Sequence, residues 1–324
     1  MYDLISIGEL LIDFFPGAPG AIEFSGKAGG APCNVAAQAM LLGEKAAVIC
    51  KLGADQFGYY LKNYAQELGL DTSYISFTHK ANTTLAFVHL DETGNRSFSF
   101  YRKPGADQML EPSDLPMEEL AQAGAVAFGG VGLSAEPIRS TLFAALEQLR
   151  GQALIAYDPN LRPGLWLEGE CVMREVTLKG MAYADVVKLA DEELQFLLET
   201  QDLAEAAAKL LAAYPNIKLC FITGGAAGCY LLYEKELLHA PAYATGVVDT
   251  TGAGDAFFGA LLHRLLKAGK GPEELGREEL LDMMAYANAA GSLTCAGKGA
   301  ISSMPDEGYI HDCLAHTPTM ESVG

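Results

Sequence analysis

A short apolar run recurs along this chain, ends each time in glycine or a polar turn, and is usually followed by a helical stretch. The runs fall at residues 2–8, 46–52, 125–128, 153–157, 186–189 and 219–223. Apolar strands alternating with helices predict an α/β chain, with a mostly parallel sheet lying between two helical layers. In such a sheet, functional groups gather just past the carboxyl ends of the strands. One pair breaks the rhythm. Residues 83–89 and 96–101 alternate polar and apolar around the turn Asp91-Glu92-Thr93-Gly94-Asn95, which spells an antiparallel hairpin. It does not fit a parallel sheet, so it is expected to form a β lid with strands drawn from residues 10–28. No linker, internal repeat or low-complexity segment divides the chain, and residues 1–324 are expected to be one domain carrying that lid. Helices are expected at 136–150, 255–268 and 278–296, and residues 306–324 read as a short, partly loose tail.

Composition narrows the partners. With 22 basic against 41 acidic residues, the formal charge is −19, which disfavours nucleic acid and anionic membranes. The seven cysteines are odd in number and scattered, and none stands in CxxC spacing. With no signal peptide in view, that pattern predicts reduced thiols and a cytoplasmic protein. The histidines form no metal-binding spacing, and no apolar run approaches the ~20 residues that cross a bilayer. Gly20 to Lys27 imitates a phosphate-binding loop, but the glycines are one residue too far apart and Ala28 stands where Ser or Thr belongs.

The stretch Asp249-Thr250-Thr251-Gly252-Ala253-Gly254-Asp255 carries the strongest chemical signal. It follows Thr245–Val248, which has strand character, and precedes an apolar helical run. Small residues at a helix start leave backbone N–H groups open to an anion. Asp255 in the first turn could take a proton from a group attacking that anion, which is what phosphoryl transfer to an alcohol requires. The plainer alternative is a helix start capped by Thr251 or Asp249. Gly29-Gly30-Ala31-Pro32-Cys33-Asn34 opens a helix over Val35–Leu42, with Asn34 the polar side chain of an Ala-rich turn. Asp13, Arg102 and Arg162 lie at or just past strand ends, where the cleft is expected. Lys188 could contact phosphate or pair with Asp191 or Glu192. Thr223 followed by Gly225 and Gly228 marks a nucleotide edge.

Together these residues resemble the ribokinase-like, or PfkB, family of ATP-dependent carbohydrate kinases from about Leu4 to Pro305. Two distant signatures carry the resemblance, Gly29-Gly30-x-x-x-Asn34 and Asp249 to Asp255. Phe100-Tyr101-Arg102-Lys103-Pro104-Gly105-Ala106-Asp107 and the segment from Tyr157 to Trp166 look most like fructokinases, with 2-keto-3-deoxygluconate kinases next. The resemblance implies a ribokinase-like three-layer fold with a small β-sheet lid. It implies Asp255 as base, with the amides of Gly252, Ala253 and Gly254 as anion hole. Asp13, Gly30, Asn34, Arg102 and Arg162 would hold the sugar. Lys188, Glu193, Thr223, Gly225, Gly228 and Asn288 would serve the nucleotide, with Glu193 organising hydrated Mg²⁺. Asp249, Thr251, Gly299 and Ser303 would hold a monovalent cation, usually K⁺. Ala190 stands where many relatives carry the asparagine of an Asn-x-x-Glu motif, which bears on how the Mg²⁺ water shell is completed. The activity implied is transfer of the γ-phosphate of ATP to the primary hydroxyl of a ketose. D-fructose is the leading substrate and 2-keto-3-deoxygluconate the alternative. A catalytically dead sugar or nucleotide sensor is the rival from another class, and an exposed lid is a surface on which two copies could clasp.

Overall fold

Alternate residues of the central strands are buried on opposite sides, and that alternation builds three layers. In the first strand Leu4 packs to one side while Ile5 and Ile7 pack to the other. The structure, a computed structural model, describes residues 1–17, 23–90 and 96–323. The strands are β1 Leu4–Ile7, β2 Leu11–Pro16, β3 Phe24–Gly29, β4 Ala46–Gly53, β5 Ile75–Thr78, β6 Leu85–Leu90, β7 Arg96–Tyr101, β8 Ala125–Gly129, β9 Leu154–Asp158, β10 Val186–Ala190, β11 Leu219–Thr223, β12 Cys229–Tyr233 and β13 Glu236–Ala240. Nine of them form one sheet in the order β13-β12-β11-β10-β9-β8-β1-β4-β5. It is parallel from β5 to β11 and antiparallel at β11–β12–β13. One face is covered by helices Ala31–Leu41, Ala253–Ala268 and Arg277–Cys295, the other by Ile138–Leu149, Glu170–Met181, Asp191–Leu198 and Leu203–Ala213. Because β1 and β8 to β11 run parallel, Glu9, Gly130, Asp158, Ala190 and Thr223 all emerge at the same edge.

A second, four-stranded sheet has the order β3-β2-β6-β7. β6 and β7 pair antiparallel, and β2 joins β6 in parallel. Alternation again sorts the side chains. Leu11, Asp13 and Phe15 of β2 face a cavity at the edge of the main sheet. Phe14 points away, with its ring centroid 4.9 Å from that of Phe87. The turn at 91–95 and most of the Pro16–Gly20 turn lie outside the described residues.

Three boundaries differ from the sequence reading. The helix expected to begin at Val35 begins at Ala31, with Pro32 in its first turn, where a missing N–H costs nothing. Thr245–Val248 is not a strand. Among the described residues it pairs with no strand: Val248 N–H donates to Cys295 O at 2.8 Å, and the two valines are 74% and 57% exposed, so the β-branched run reflects composition without a sheet to join. The residues read as a loose tail instead form helices Glu307–His316 and Met320–Val323. Asp306 caps the first through Tyr309 N–H at 3.1 Å, and its Ile310 and Cys313 are buried with Tyr286 and Ala289.

Candidate active site

Helix Ala253–Ala268 begins at Gly252, whose φ of 81° is left-handed and which no side chain caps. A Cβ at Gly252 would also stand 2.5 Å from that of Ala300, so only glycine fits this entry. The two side chains expected as alternative caps are turned elsewhere. Asp249 Oδ1 accepts from Thr251 N–H at 2.9 Å and from the Thr251 hydroxyl at 2.7 Å, while Oδ2 accepts from Gly299 N–H at 3.0 Å. The positive end of the helix therefore opens onto the cleft, in keeping with an anion site rather than a capped start.

Asp255, in the first turn, accepts a 2.7 Å hydrogen bond from Asn34 Nδ2. Two distant helix starts thus meet at one carboxylate. Burial and the nearby Asp158 raise the Asp255 pKa to about 6, against the pull of Asn34, Lys188 and Arg162. Such a group is ionised at neutral pH yet basic enough to accept a proton.

Around Asp255 opens a cavity of about 410 Å³, lined by Asp13, Gly30, Asn34 and Arg162 together with Glu9, Asn160, Lys188 and Thr223. Gly30 approaches closely because a Cβ there would lie 2.4 Å from Glu9 O. Burial, with Asp255 and Asp249 adding, pushes Asp13 up to about 7, and Arg162 opposes the shift. Arg162 donates to Leu161 O at 2.9 Å.

Arg102 is placed differently from the expectation. It does not line this cavity, and its side chain is buried against Asp107, with Nε 2.8 Å and Nη2 2.6 Å from Oδ2. Nη1 donates to Ser134 Oγ at 2.8 Å, and Nη2, already paired with Asp107, also donates to Val131 O at 3.2 Å. A guanidinium so committed braces the loops beneath the cleft. Lys188 pairs with neither Asp191 nor Glu192 but with Asp158 on the adjacent strand, at 3.0 Å. Burial pulls the ammonium down, yet Asp158, Glu193 and Asp255 outweigh it and hold its pKa above the ordinary value. It lies against the anion helix, so near that a Cβ on Gly254 would meet Nζ at 2.9 Å.

Three groups that the sequence reading did not assign also stand here. Asp158 ends β9 and Asn160 follows two residues on, inside a motif that was quoted only for its family look, and strand-end position was the available signal. Glu9, directly after Gly8, is 3% exposed and lines the cavity. Its Oε1 accepts from Ala31 N–H at 3.1 Å, and Oε2 has no partner. Burial, aided by Asp107, pushes Glu9 up to about 8.

A second cavity, about 310 Å³, adjoins the first, and Thr223, Thr250 and Gly254 line both. Its walls are largely apolar and include Gly225, Gly228, Phe257 and Asn288. Asn288 spends its amide on Ala240 O at 2.7 Å and Pro241 O at 3.2 Å. Glu193 lines neither cavity. It accepts from Ala190 N–H at 2.9 Å and Leu161 N–H at 2.5 Å, so it ties β10 to the loop after β9. Among the described residues no group of three or more His, Cys, Asp or Glu could hold a metal ion. A divalent ion would therefore rest mainly on phosphate and water oxygens, a mode that suits Mg²⁺. Asp249, Thr251 and Gly299 are brought together, an oxygen-rich set suited to a hard cation. Ser303 sits one short turn further on, beside Gly297.

A polar cleft, an apolar chamber and an uncapped helix with a carboxylate where they join are the parts of an enzyme that passes an anionic group from one ligand to another. Comparison with known proteins defines the class. The family model described as pfkB family carbohydrate kinase matches residues 1–307. Fructokinase-1 of Zea mays is 39% identical over 315 residues, covering 95% of this chain and 96% of that protein. Probable fructokinase-3 of Arabidopsis thaliana is 38% identical over 310 residues, covering 94% and 89%. The crystal structure of fructokinase from Vibrio cholerae O395, in a form with fructose, ADP and calcium bound, matches with a TM-score of 0.88 at 32% identity, over 97% of this chain and 99% of that one. Fructokinase from Xylella fastidiosa with bound ATP gives 0.89 at 30% identity, again over 97% and 99%. The chain belongs to the pfkB family of carbohydrate kinases.

Proposed function

We propose that this protein is an ATP-dependent fructokinase, forming fructose 6-phosphate and ADP. The observation that carries the reading is the Asn34–Asp255 hydrogen bond of 2.7 Å, which holds a raised carboxylate at an uncapped helix start between the two cavities. The sugar lies in the polar cleft among Asp13, Gly30, Asn34 and Arg162. The nucleotide lies in the apolar chamber beside Thr223, Gly225, Gly228 and Asn288. The primary hydroxyl attacks the γ-phosphorus, a new O–P bond forms as the bond to the β-phosphate oxygen breaks, and Asp255 takes the hydroxyl proton. The amides of Gly252, Ala253 and Gly254, with Lys188 close by, face the charge on the transferring group. Magnesium bound to the nucleotide would supply further charge neutralisation, but Glu193, the residue expected to organise its water shell, ties β10 to the loop after β9 and lines neither cavity. Asp249, Thr251, Gly299 and Ser303 are read as the monovalent-cation loops.

Charge around the cleft favours a neutral ketose over 2-keto-3-deoxygluconate. Of the two arginines that could pair with a carboxylate, only Arg162 faces the cavity, and it already faces Asp13 and Asp255. A sugar acid would add an anion to a site that has no second free guanidinium to receive it. The test is kcat/KM for fructose, 2-keto-3-deoxygluconate, ribose and glucose at saturating Mg·ATP. Fructose is expected to lead, and a preference of about tenfold for the acid, worth about 1.4 kcal/mol, overturns the reading.

The chain is read as one kinase unit in which the four-stranded sheet excludes water from the cleft. It is also read as the surface on which two copies pair, since Phe24 and Tyr101 cluster edge-on around Phe14 and Phe87, which stack, and Tyr101 is 69% exposed. Light scattering that returns a monomer at micromolar concentration removes the pairing. A reducing cytoplasm suits the seven cysteines, all of which are free thiols.

A further inference from the structure

The match to the family model ends at residue 307, but the chain beyond it comes back to the nucleotide chamber. Helix Glu307–His316 packs Ile310 and Cys313 into the molecule, and the residues after it cross the chamber as a strap. Main-chain ties fix the crossing. Ala244 N–H donates to Pro318 O at 2.9 Å, and Met320 N–H donates to Ala242 O at 2.8 Å. Between them Tyr243 and Thr319 form an antiparallel bridge. Glu321 lies 3.4 Å from His239 Nδ1, while His239 Nε2 lies 2.7 Å from Ala227 O. The strap is thus joined through one imidazole to the loop Gly225–Ala227. Met320 lines the chamber together with Phe257, Ala242 and Val247.

The chamber's polar side chains are largely spent on the protein itself. Asn288 holds two carbonyls, the Thr245 hydroxyl donates to Ser292 O at 2.6 Å, and Ser292 Oγ accepts from Tyr243 N–H at 3.1 Å. A planar base entering here gains most from apolar walls, and the strap is one of them. A thioether suits the place, because it is flexible and polarisable and packs well against an aromatic ring.

We infer that residues 318–321 form a wall of the nucleotide site and that Met320 packs on the nucleobase, so that docking of the strap sets the affinity for ATP and the release of ADP. The inference rests on the kinase reading for the identity of the nucleotide. It is tested in the full chain with Met320→Ala, Met320→Leu and, as a control outside the chamber, His311→Ala. Calorimetry with ADP, in the absence of sugar, gives Kd directly, and steady-state assays give KM for ATP and for fructose. Met320→Ala is expected to raise both the Kd for ADP and the KM for ATP by about threefold or more. The KM for fructose should stay near wild type, Met320→Leu should restore most of the loss, and His311→Ala should bind ADP as wild type does. A smaller change in ADP affinity, or a parallel rise in the KM for fructose, overturns the inference. If no tested sugar supports ATP consumption while Met320→Ala still weakens ADP binding, the kinase reading falls and the strap stands.

Discussion

The two cavities meet at Gly254 but are built on opposite principles. In the polar cleft, ionisable side chains face the open space. Glu9, Asp13 and Asp255 are all raised by burial, to about 8, 7 and 6 respectively. In the apolar chamber, Asn288 and Thr245 turn their hydrogen bonds inward onto the main chain and leave apolar walls. One side is electrostatically tense and the other is inert. Desolvated charge can discriminate hydroxyls and move a proton, whereas apolar contact holds a ligand without reading its charge. Substitutions in the first cavity should therefore change chemistry and pH response, and those in the second should change affinity.

The largest effect tests the centre of the tense side. Asp255→Asn keeps the shape and removes the proton acceptor, so kcat should fall by about 10²–10⁴. ADP affinity, set in the other chamber, should hardly move. A kcat within threefold of wild type removes Asp255 from the mechanism.

A sharper test separates the two arginines. Arg162→Ala should raise the KM for fructose by about tenfold, which is about 1.4 kcal/mol, while the melting temperature stays close to wild type. Arg102→Met strands Asp107 in the interior without its partner, a loss on the order of 3–5 kcal/mol. Its effect should appear as a lower melting temperature, with the KM for fructose of the folded fraction unchanged. If Arg102→Met instead raises the KM and leaves stability alone, the guanidinium reaches the sugar after all.

These arginines also show how far the sequence could be read. Both follow strands in similar polar wording, and nothing local distinguishes one that faces the cleft from one that turns beneath it. The difference is made by Ser134 and Val131, which only the folded chain brings to Arg102, and by Asp107, which stands in the same segment but shows no sign in the sequence of turning inward. The same holds for Lys188, whose partner Asp158 is a neighbour across the sheet and 30 residues away in the chain. By contrast, the parallel sheet, the glycine-rich helix starts and the lid strands were legible, because periodicity and glycine placement are local signals. Thr245–Val248 misled because β-branched composition cannot say whether a neighbouring strand is there to pair. The final helices were missed because their burial depends on Tyr286 and Ala289, contributed by another helix.

The raised carboxylates also set the response to pH. Asp255 must be ionised to accept a proton, so kcat should fall towards one order of magnitude per pH unit below about 6. Stability should run the other way. A carboxyl group whose folded pKa lies above its unfolded value stabilises the fold when protonated, and that contribution is lost as pH rises through the folded pKa. For Glu9 the window runs from its ordinary value up to about 8. Glu9→Gln keeps the acceptor for Ala31 and cannot ionise. It should melt a few degrees above wild type at pH 9, with the gap closing by pH 5. A gap that does not change with pH would mean that Glu9 is not charged against its burial.

The smallest effect lies at the seam between the cavities. The Asp249 carboxylate fastens Thr251, which leads into Gly252, and Gly299, whose neighbour Ala300 packs against Gly252. A monovalent cation seated among these oxygens would act on the anion hole only through its field and through the set of those loops. It would touch neither the proton acceptor nor the sugar. Replacing K⁺ with Na⁺ or tetramethylammonium at matched ionic strength should therefore lower kcat several-fold, with the KM for fructose unchanged. Asp249→Asn should abolish the difference between the ions. Equal rates in all three salts would leave Asp249 as a brace for the loops, and the order of the anion hole would then come from that carboxylate alone.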